Sequence, residues 1–329
     1  MARCGAARRG ATTKRHAPRG GKMTAPDPEP TDPAAPDSEA TAAPLVSVIL
    51  VSYNSGAVIG RAIASVPEGC EVIVVDNASP QGTGFMDGLA RPARLIALPR
   101  NFGFGTACNE GARAARGEYV FFLNPDAALA PGALDRLVAA ERAYGPAILM
   151  PSILSDTGRP MRKEGSILEP VPRAARLKAE EIAGDYCTRF VHGAAFLMKR
   201  TEFLALGGFD EQIFLYHEDD DLALRALARD LPIVVVPQAH VSHSGGKSSI
   251  ASWGATFAIN RYKKRSELYV RRKYGRAPQM AKDALRLAGG CLLALATLDM
   301  HRFMIRAGKL AGLLDGPEAP TGPRRDGRL

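Results

Sequence analysis

Residues 118–126 read EYVFFLNPD, and this stretch decides the fold of the chain. An aromatic and aliphatic run closed by Pro125 predicts a fully buried strand of a parallel sheet, because proline cannot donate to a strand ladder. Asp126 then stands at the carboxyl end of the strand, where open α/β sheets bind ligands. A carboxylate there can hold a cation or a sugar hydroxyl. Asn124-Pro125-Asp126 is also good turn chemistry, so the triplet alone leaves both interpretations open.

Apolar segments of the same character precede this strand and alternate with helical segments. Strands are predicted over 46–51, 71–75 and 94–98, and helices over 58–66 and from about 106 to 116. Short alternating units of this kind predict an α/β fold with a mostly parallel sheet and right-handed crossovers. Each strand ends in polar residues, which should converge on one rim of the sheet. That rim is the place for a nucleotide.

The phosphate-binding loops of common nucleotide folds are absent from the sequence. A dinucleotide-binding fold would show G-x-G-x-x-G after the first strand, but the chain has SYNSG at 52–56. The near match Gly103-Phe104-Gly105 follows the third strand and lacks the last glycine, and G-x-x-x-x-G-K-[ST] does not occur. The sheet must hold phosphate by other means, and a metal ion bound to Asp126 is the obvious candidate.

A second chemical centre is the acidic run EDDD at 218–221, which opens a predicted helix. The helix dipole favours one or two acidic residues at an N-terminus without any catalytic role. Four consecutive carboxylates repel one another, so the additional ones require a nearby cation, an arginine or a reacting hydroxyl to explain them. The same dipole would keep at least one carboxylate ionised near neutral pH, as a general base requires.

His243 follows the last predicted strand, 233–236, in a segment that we expect to be a glycine- and serine-rich loop. A histidine in such a loop suits a metal or substrate ligand. A purely structural histidine is the alternative, and the residues alone leave it open.

Composition narrows the partners and the compartment. A formal net charge of +9 suits nucleotide phosphates, anionic lipid or nucleic acid, but the basic residues cluster at the two ends of the chain without a recognition motif, so we expect no nucleic acid. Five scattered cysteines without C-x-x-C argue against a disulfide framework or a zinc site and for a reducing compartment. Residues 1–44 are basic, then proline-rich, and lack the apolar region of a secretory signal.

Six motifs between about residues 45 and 248 appear in an order that resembles a known family. They are VSVILVSYNS (46–55), VIVVDNAS (72–79), NFGFGTACNEG (101–111), GEYVFFLNPDA (117–127), GGFDEQIFLYHEDDDLALR (207–225) and P-x-A…H-x-x-G-x-S (237–248). Together they resemble the family 2 glycosyltransferases, closest to the bacterial rhamnosyltransferase-like branch. The resemblance implies an A-type glycosyltransferase fold, a nucleotide-diphosphate-sugar donor, a divalent cation (Mg²⁺ or Mn²⁺) and inversion at the anomeric carbon.

The resemblance also implies roles for the strand-end residues on the donor side. Asp76 would bind the nucleoside with help from Ser52 and Tyr53, and Asn101 would lie in the donor-side loop. Asn124 replaces the first carboxylate of the family's Asp-x-Asp motif, so it can offer the donor hydrogen bonds but no charge.

The remaining implied roles concern the cation and the acceptor. Asp126 would ligate the cation, and His243 matches the position that completes the metal site in some members of the family. Asp219 is the predicted base that deprotonates the acceptor hydroxyl, with Glu218 in reserve. The metal would stabilise the leaving diphosphate without proton transfer.

The function that the resemblance implies is an inverting transfer of a sugar, with rhamnose from dTDP-rhamnose as one candidate, to a glycan or lipid-linked acceptor in cell-surface polysaccharide synthesis. A sugar-phosphate nucleotidyltransferase is an alternative, but it should carry a G-T-R loop after the first strand, where this chain has SYNSG. A catalytically inactive carbohydrate- or nucleotide-binding scaffold is another, and intact Asp126, Glu218, Asp219 and His243 count against it.

The C-terminal part of the chain bears on where the protein works. A basic helix over 261–273 precedes an apolar stretch over 287–298, which is too short to span a bilayer. It can pack on the catalytic domain, or lie on the cytoplasmic face of the inner membrane and bring a cytoplasmic enzyme to a lipid-linked acceptor. The predicted organisation is a disordered tail (1–44), a catalytic domain (45–255), a helical extension (256–315) and a second disordered tail (316–329).

Overall fold

The computed structural model describes residues 43–163, 165–169, 184–244, 252–276 and 278–316. Residues 1–42 and 317–329, which make up nearly all of the two predicted tails, lie outside the described residues. So do residues 245–248 of the last quoted motif.

The first four strands form the parallel half of the sheet in the order β3-β2-β1-β4. They are β1 (Val46–Ser52), β2 (Glu71–Asp76), β3 (Arg94–Ala97) and β4 (Tyr119–Leu123). β1, β2 and β4 are buried along their whole length, as their unbroken apolar runs predict for a sheet covered on both faces. The connections between these strands contain α1 (Gly56–Ala64), a 3-10 helix (Gly84–Gly88) and α2 (Phe104–Ala114).

The second half of the sheet is mixed, and its order continues β4-β8-β6-β9-β5, with β7 beside β9. These strands are β5 (Ala127–Leu129), β6 (Ile148–Leu154), β7 (Tyr186–Thr188), β8 (Ala195–Lys199) and β9 (Ile233–His243). Their helices are α3 (Ala133–Tyr144), α4 (Arg200–Ala205) and α5 (Glu218–Leu227). Since most paired residues lie in parallel ladders, the predicted α/β class with a mixed, mostly parallel sheet flanked by helices is confirmed.

Two local predictions in this half were wrong, the end of the last strand and the loop around His243. β9 does not stop at Val236 but continues to His243, so His243 ends a strand, opposite Ala127 of β5, instead of lying in a loop. The strand tolerates Pro237 because the register against β6 shifts there, which removes the need for a ladder donor.

The hydrophobic core covers both faces of the sheet because side chains alternate along each strand. Phe121 faces the cluster that packs α1 and α3, whereas Phe122 faces the cluster that packs α2, α4 and α5. The ring of Phe122 lies 4.7 Å from that of Phe196 and 5.7 Å from that of Phe209, measured between centroids. Phe209 belongs to the loop that leads into α5, so the aromatic core anchors the approach to the acidic run.

One glycine fixes where that loop meets the sheet. Gly103, just before α2, has a φ of +92°, and a Cβ at this position would lie 2.2 Å from the carbonyl oxygen of Phe214. Phe104 donates its backbone N–H to the same carbonyl at 3.1 Å. Only glycine allows this conformation together with this close approach, which brings α5 to the carboxyl edge of the sheet.

Three helices follow β9: α6 (Trp253–Lys273), α7 (Met280–Ala296) and α8 (Met300–Asp315). α6 and α8 pack closely because Gly308 and Gly312 of α8 leave room for backbone carbonyls of α6. α6 also contacts the loop that leads into α5, since Tyr269 and Lys273 contact the Asp210 carboxylate at 3.0 and 2.6 Å. Among the described residues, no helix combines the length and the apolarity that crossing a bilayer requires.

Candidate active site

The carboxyl ends of β1 and β2 carry a hydrogen-bonded cluster around Asp76. The buried Asp76 carboxylate accepts two hydrogen bonds from Ser79, one from its hydroxyl at 2.5 Å and one from its backbone N–H at 2.9 Å. Ser79 in turn accepts from the backbone N–H of Asn54 at 2.9 Å. Ser52 pairs with Asp76 in the β1–β2 register, and its buried hydroxyl has no partner within the described chain. These residues form a rigid polar cradle with hydrogen-bonding capacity to spare.

Asn77 extends this cradle to the loop after β3. Its side-chain nitrogen donates to Asn101 Oδ1 at 2.9 Å and to the Gly103 carbonyl at 3.1 Å, while its oxygen accepts from the Phe102 N–H at 2.9 Å. Asn101 Oδ1 also accepts from the Gly103 N–H at 3.0 Å. Asn101 therefore lies at the same rim as Asp76, and Asn77 holds the two loops together. Tyr53, which the sequence assigned to this group, is 40% exposed beside it.

The carboxyl end of β4 meets the end of β9. Asp126 Oδ1 lies 3.1 Å from His243 Nε2, and both side chains are almost completely buried. Asn124 Nδ2 lies 3.4 Å from the same His243 nitrogen. The β5–β9 pairing, which sets Ala127 opposite His243, enforces this meeting. The structure thus brings together Asp126 and His243, the two residues that the sequence predicted for the cation, and places Asn124, which was predicted to bind the donor, beside them.

His192 connects this group to the start of α5, and sequence reasoning had not assigned it a role. Its ring lies 6.3 Å from that of His243, edge to face, and the next residue, Gly193, donates its N–H to Asp219 Oδ2 at 3.3 Å. Burial lowers the pKa of His192 to about 4. The imidazole is therefore neutral at physiological pH and adds no charge between the two carboxylates.

The acidic run at the start of α5 resolves into four different environments. Asp221 is completely buried and is bound by Arg225 at 2.7 Å, Lys273 at 2.6 Å and the Tyr274 hydroxyl at 2.9 Å. Arg225 also donates to the carbonyls of Leu206 and Gly208, which lie in the turn after α4, and so it holds α5 to that turn. Asp221 is a structural carboxylate with no surface left for a substrate.

Lys163 balances the negative charge of Asp219 and Asp220, the middle two carboxylates. Sequence reasoning had not assigned Lys163 a role. Its Nζ lies 2.6 Å from Asp219 Oδ2 and 2.7 Å from Asp220 Oδ1. Burial alone would lower the pKa of Lys163, but the two carboxylates raise it, so the amine stays charged. Asp220 also contacts His217 Nδ1 at 3.0 Å. Burial would raise the pKa of Asp220, yet its bond with His217 and the Lys163 charge hold it below the usual range.

Glu218 differs from its neighbours because no cation among the described residues contacts it. Its side chain is buried against α2, near Gly105, and its Oε2 has no partner in the part of the chain that the structure describes. Burial, followed by the neighbouring Asp219 carboxylate, raises the pKa of Glu218 to about 8. Glu218 is therefore mostly protonated at neutral pH. Asp219, one position later, is instead bound by Lys163 and by the Gly193 N–H.

Comparisons with known proteins show which proteins this chain is similar to. The family described as "Glycosyl transferase family 2" matches residues 47–203. An N-acetylglucosaminyl-diphospho-decaprenol L-rhamnosyltransferase from Mycobacterium tuberculosis is 27% identical over 244 residues, which cover 62% of this chain and 78% of that protein.

Solved structures share the fold at lower identity. A mannosyltransferase from Pyrobaculum calidifontis, solved with GDP-mannose and Mn²⁺, has a TM-score of 0.51 at 17% identity and covers 84% of this chain and 87% of its own. GalNAc-T7 with UDP, GalNAc and Mn²⁺ also has a TM-score of 0.51, at 18% identity, and covers 72% of this chain and 52% of its own. These likenesses confirm the predicted A-type glycosyltransferase fold.

A pH titration of stability tests the assignment of Glu218. The pKa of Glu218 is about 8 in the folded protein, whereas in the unfolded chain it takes the ordinary glutamate value of 4.5. Between these values the unfolded chain releases a proton that the folded protein keeps, so the stabilisation is complete below pH 4.5 and is lost as pH rises toward 8. We expect the free energy of unfolding of wild type to fall relative to that of Glu218→Gln as pH rises through this window.

Urea denaturation at a series of pH values between 5 and 8 measures this difference. Glu68→Gln is the matched control, since Glu68 is exposed and its removal should leave the pH dependence of wild type unchanged. Parallel curves for wild type and Glu218→Gln would show that Glu218 is not held neutral in the folded protein.

Proposed function

We propose that this chain, whose residues 47–203 match the family 2 glycosyltransferases, transfers a sugar with inversion from a nucleotide-diphosphate donor to a lipid-linked glycan acceptor in cell-surface polysaccharide synthesis. One observation carries the proposal. A continuous series of contacts runs from Asp126 through His243, His192 and Gly193 to Asp219, and thus joins a candidate cation site to a candidate base. These are the two charged groups that displacement of a nucleoside diphosphate by a hydroxyl needs.

The donor nucleoside belongs at the cradle of β1 and β2. Asp76 uses one lone pair on each oxygen for Ser79, so each oxygen keeps capacity for a further donor such as a base N–H or a ribose hydroxyl. Ser52 has an unused buried hydroxyl beside it. The exposed Tyr53 ring can cover the base, and Asn101 lies on the side where the diphosphate would continue.

A divalent cation fits the residues at the end of β4. The 3.1 Å between Asp126 Oδ1 and His243 Nε2 equals the spacing of about 3 Å between adjacent corners of an octahedron with ligands near 2.1 Å. No cluster of three or more His, Cys, Asp or Glu side chains that could hold a metal occurs among the described residues. Asp126 and His243 would therefore hold Mg²⁺ or Mn²⁺ together with substrate phosphates, as is usual for these ions. When bound, the cation supplies positive charge for the leaving diphosphate.

The acceptor side belongs to Asp219. Its carboxylate takes the proton of the acceptor hydroxyl as the acceptor oxygen forms its bond to the anomeric carbon. The bond between that carbon and the diphosphate oxygen breaks, and its electron pair leaves with the nucleoside diphosphate. Attack from the face opposite the leaving group inverts the anomeric carbon.

The choice of sugar and acceptor rests on the relatives. The M. tuberculosis protein is described as a rhamnosyltransferase that acts on N-acetylglucosaminyl-diphospho-decaprenol. Rhamnose from dTDP-rhamnose is accordingly the donor that we propose first, and a sugar on a polyprenyl diphosphate is the acceptor. A panel of donors tests which nucleobase and which sugar the enzyme prefers.

An exposed apolar face on α7 supports delivery of such an acceptor at a membrane. Leu285, Leu292, Leu295 and Leu298 are 77, 69, 46 and 86% exposed, and the first three fall on one side of the helix. Lys282 and Arg286 lie next to them on the wheel, whereas Asp283, the acidic residue of this helix, is bound to Lys264. Exposed leucines bordered by basic residues suit the surface of an anionic bilayer.

A pair of substitutions in neighbouring residues tests the assignment of the base. Asp219→Asn should lose about 10² to 10⁴-fold in turnover, the usual contribution of a general base, and should still bind donor. Glu218→Gln should keep most of the turnover, because Glu218 is already neutral. Product formation with the preferred donor and a lipid-linked acceptor measures both. Wild-type turnover in Asp219→Asn, or an equal loss in Glu218→Gln, would remove Asp219 from this role.

A donor panel tests the proposed function itself. Calorimetry with dTDP-, UDP- and GDP-sugars, with and without Mn²⁺, should identify one donor whose binding requires the cation. Asp126→Ala should lose the cation-dependent part of this binding, and Asp87→Ala, at an exposed aspartate, should keep it. The cation site would be refuted if Mn²⁺ did not change the donor affinity of wild type, or if Asp126→Ala bound the donor with the same dependence on Mn²⁺ as wild type. If no nucleotide sugar bound, the proposed function would fail.

Flotation with vesicles tests the apolar face of α7. Replacing Leu285, Leu292 and Leu295 by glutamine should weaken binding to vesicles with anionic lipid at least about tenfold, since each buried leucine contributes about 1.5 kcal/mol or more. Leu204→Gln, on α4, is the control at another exposed leucine and should bind as wild type does. Binding of wild type should weaken with added salt. If wild type stayed with the unbound fraction at low salt, the face would not be a membrane surface.

A further inference from the structure

Lys163 reaches the acidic run from a segment that is tied down at both of its ends. After β6, residues 155–158 form a turn, and the Met161 N–H donates to the Ile153 carbonyl at 2.7 Å. Further along, Leu168 is buried against Ile213 and Val270. Lys163 therefore lies on a short strap (residues 159–163 and 165–169) between two fixed points, and its side chain reaches the N-terminal turn of α5.

The contacts of Asp219 leave little choice about which of its oxygens can react. Oδ2 is used by Lys163 at 2.6 Å and by the Gly193 N–H at 3.3 Å. Oδ1 accepts from the Asp220 N–H at 2.9 Å. A carboxylate has about four lone-pair positions, and the one that remains is on Oδ1.

We propose that Lys163 is a positioning residue for the transfer reaction: it fixes the orientation of the Asp219 carboxylate through Oδ2 and leaves Oδ1 to take the proton of the acceptor hydroxyl. This inference rests on the proposed function, because it needs Asp219 to be the base. The proton moves from the acceptor oxygen to Oδ1 while the acceptor oxygen bonds to the anomeric carbon. Lys163 keeps its own proton throughout.

The charges around Asp219 explain why a lysine is needed there. Asp219 is faced by Glu218 and Asp220 from α5, by Lys163 from the strap and by the neutral His192 before β8. Lys163 is the cation that contacts Asp219 among the described residues, and 20% of its side chain is exposed. Without it, the carboxylate would sit beside other acidic groups with only backbone donors, and its proton affinity would rise.

Substitution of Lys163 by a neutral and by a charged residue tests this proposal. In Lys163→Met, the acid limb of the pH profile of turnover should move upward by about one to three pH units, the usual effect of an adjacent opposite charge. Turnover of Lys163→Met should fall below that of wild type as pH drops through this limb and should recover at higher pH. Lys163→Arg, which keeps the charge, should retain an acid limb close to that of wild type.

A control separates loss of the charge from loosening of the strap. Arg189→Ala removes the exposed ion pair with Glu169, at 2.7 Å, at the far end of the same strap but leaves Lys163 in place. Its acid limb should match that of wild type. If Arg189→Ala shifted the limb as much as Lys163→Met does, strap anchoring would explain the effect and the proposal would be wrong.

A direct titration keeps the result independent of turnover. In protein labelled with carbon-13 at the aspartate carboxyl, the resonance that disappears in Asp219→Asn identifies Asp219. Its midpoint should be higher in Lys163→Met than in wild type and Lys163→Arg. An unchanged midpoint would overturn the proposal even if the enzyme is active, whereas a shifted midpoint in a protein that transfers no sugar would fault the proposed function alone.

Discussion

The site depends on one electrostatic constraint, which is that α5 begins with four consecutive carboxylates that are largely removed from solvent. Buried charge is tolerated only when it is paired or neutralised. The structure meets this requirement in three ways. Asp221 is paired with Arg225 and Lys273, Asp219 and Asp220 share Lys163, and Glu218 keeps its proton. The lysines that pair with these carboxylates come from different parts of the chain, since Lys163 follows β6 and Lys273 ends α6.

Because the compensating cations come from distant segments, the acidic run also organises the parts around it. Lys273 and Tyr274, at the end of α6, reach Asp221 and thereby fasten the C-terminal helices to α5. Lys163 reaches the N-terminal turn of α5 from the strap after β6. The C-terminal helices are therefore a structural requirement of α5, and the apolar face of α7 is held in a fixed relation to the candidate base.

How much of this could be predicted from the sequence depended on the range of the interactions involved. The parallel half of the sheet was predictable because β1, β2 and β4 are continuous apolar runs whose character is local. β5 and β7, of three residues each, are too short to give a periodic signal. β9 was cut short because Pro237 indicates a strand end, and only the shifted pairing with β6 shows that the strand continues to His243.

The site was predictable in its residue types but not in their pairing. Asp76, Asn101, Asp126 and His243 could be predicted as candidates because strand ends and quoted motifs mark them. Lys163 stands in a segment without helical or strand periodicity, and its role exists only through a contact with α5, 56 positions away in the chain. The raised pKa of Glu218 was equally hidden, because it depends on the burial of this side chain and not on the type of residue.

Asn124 has a consequence for how the cation and the donor bind. A second carboxylate at this position would lie within reach of Asp126 and His243, where Asn124 Nδ2 now lies 3.4 Å from the histidine. With an amide instead, one aspartate supplies the negative charge of the group formed by Asn124, Asp126 and His243. In the proposed site, a cation held by a single carboxylate and an imidazole would gain most of its remaining ligands and charge from the diphosphate of the donor. Since each would then increase the affinity of the other by the same factor, we propose that cation and donor bind cooperatively.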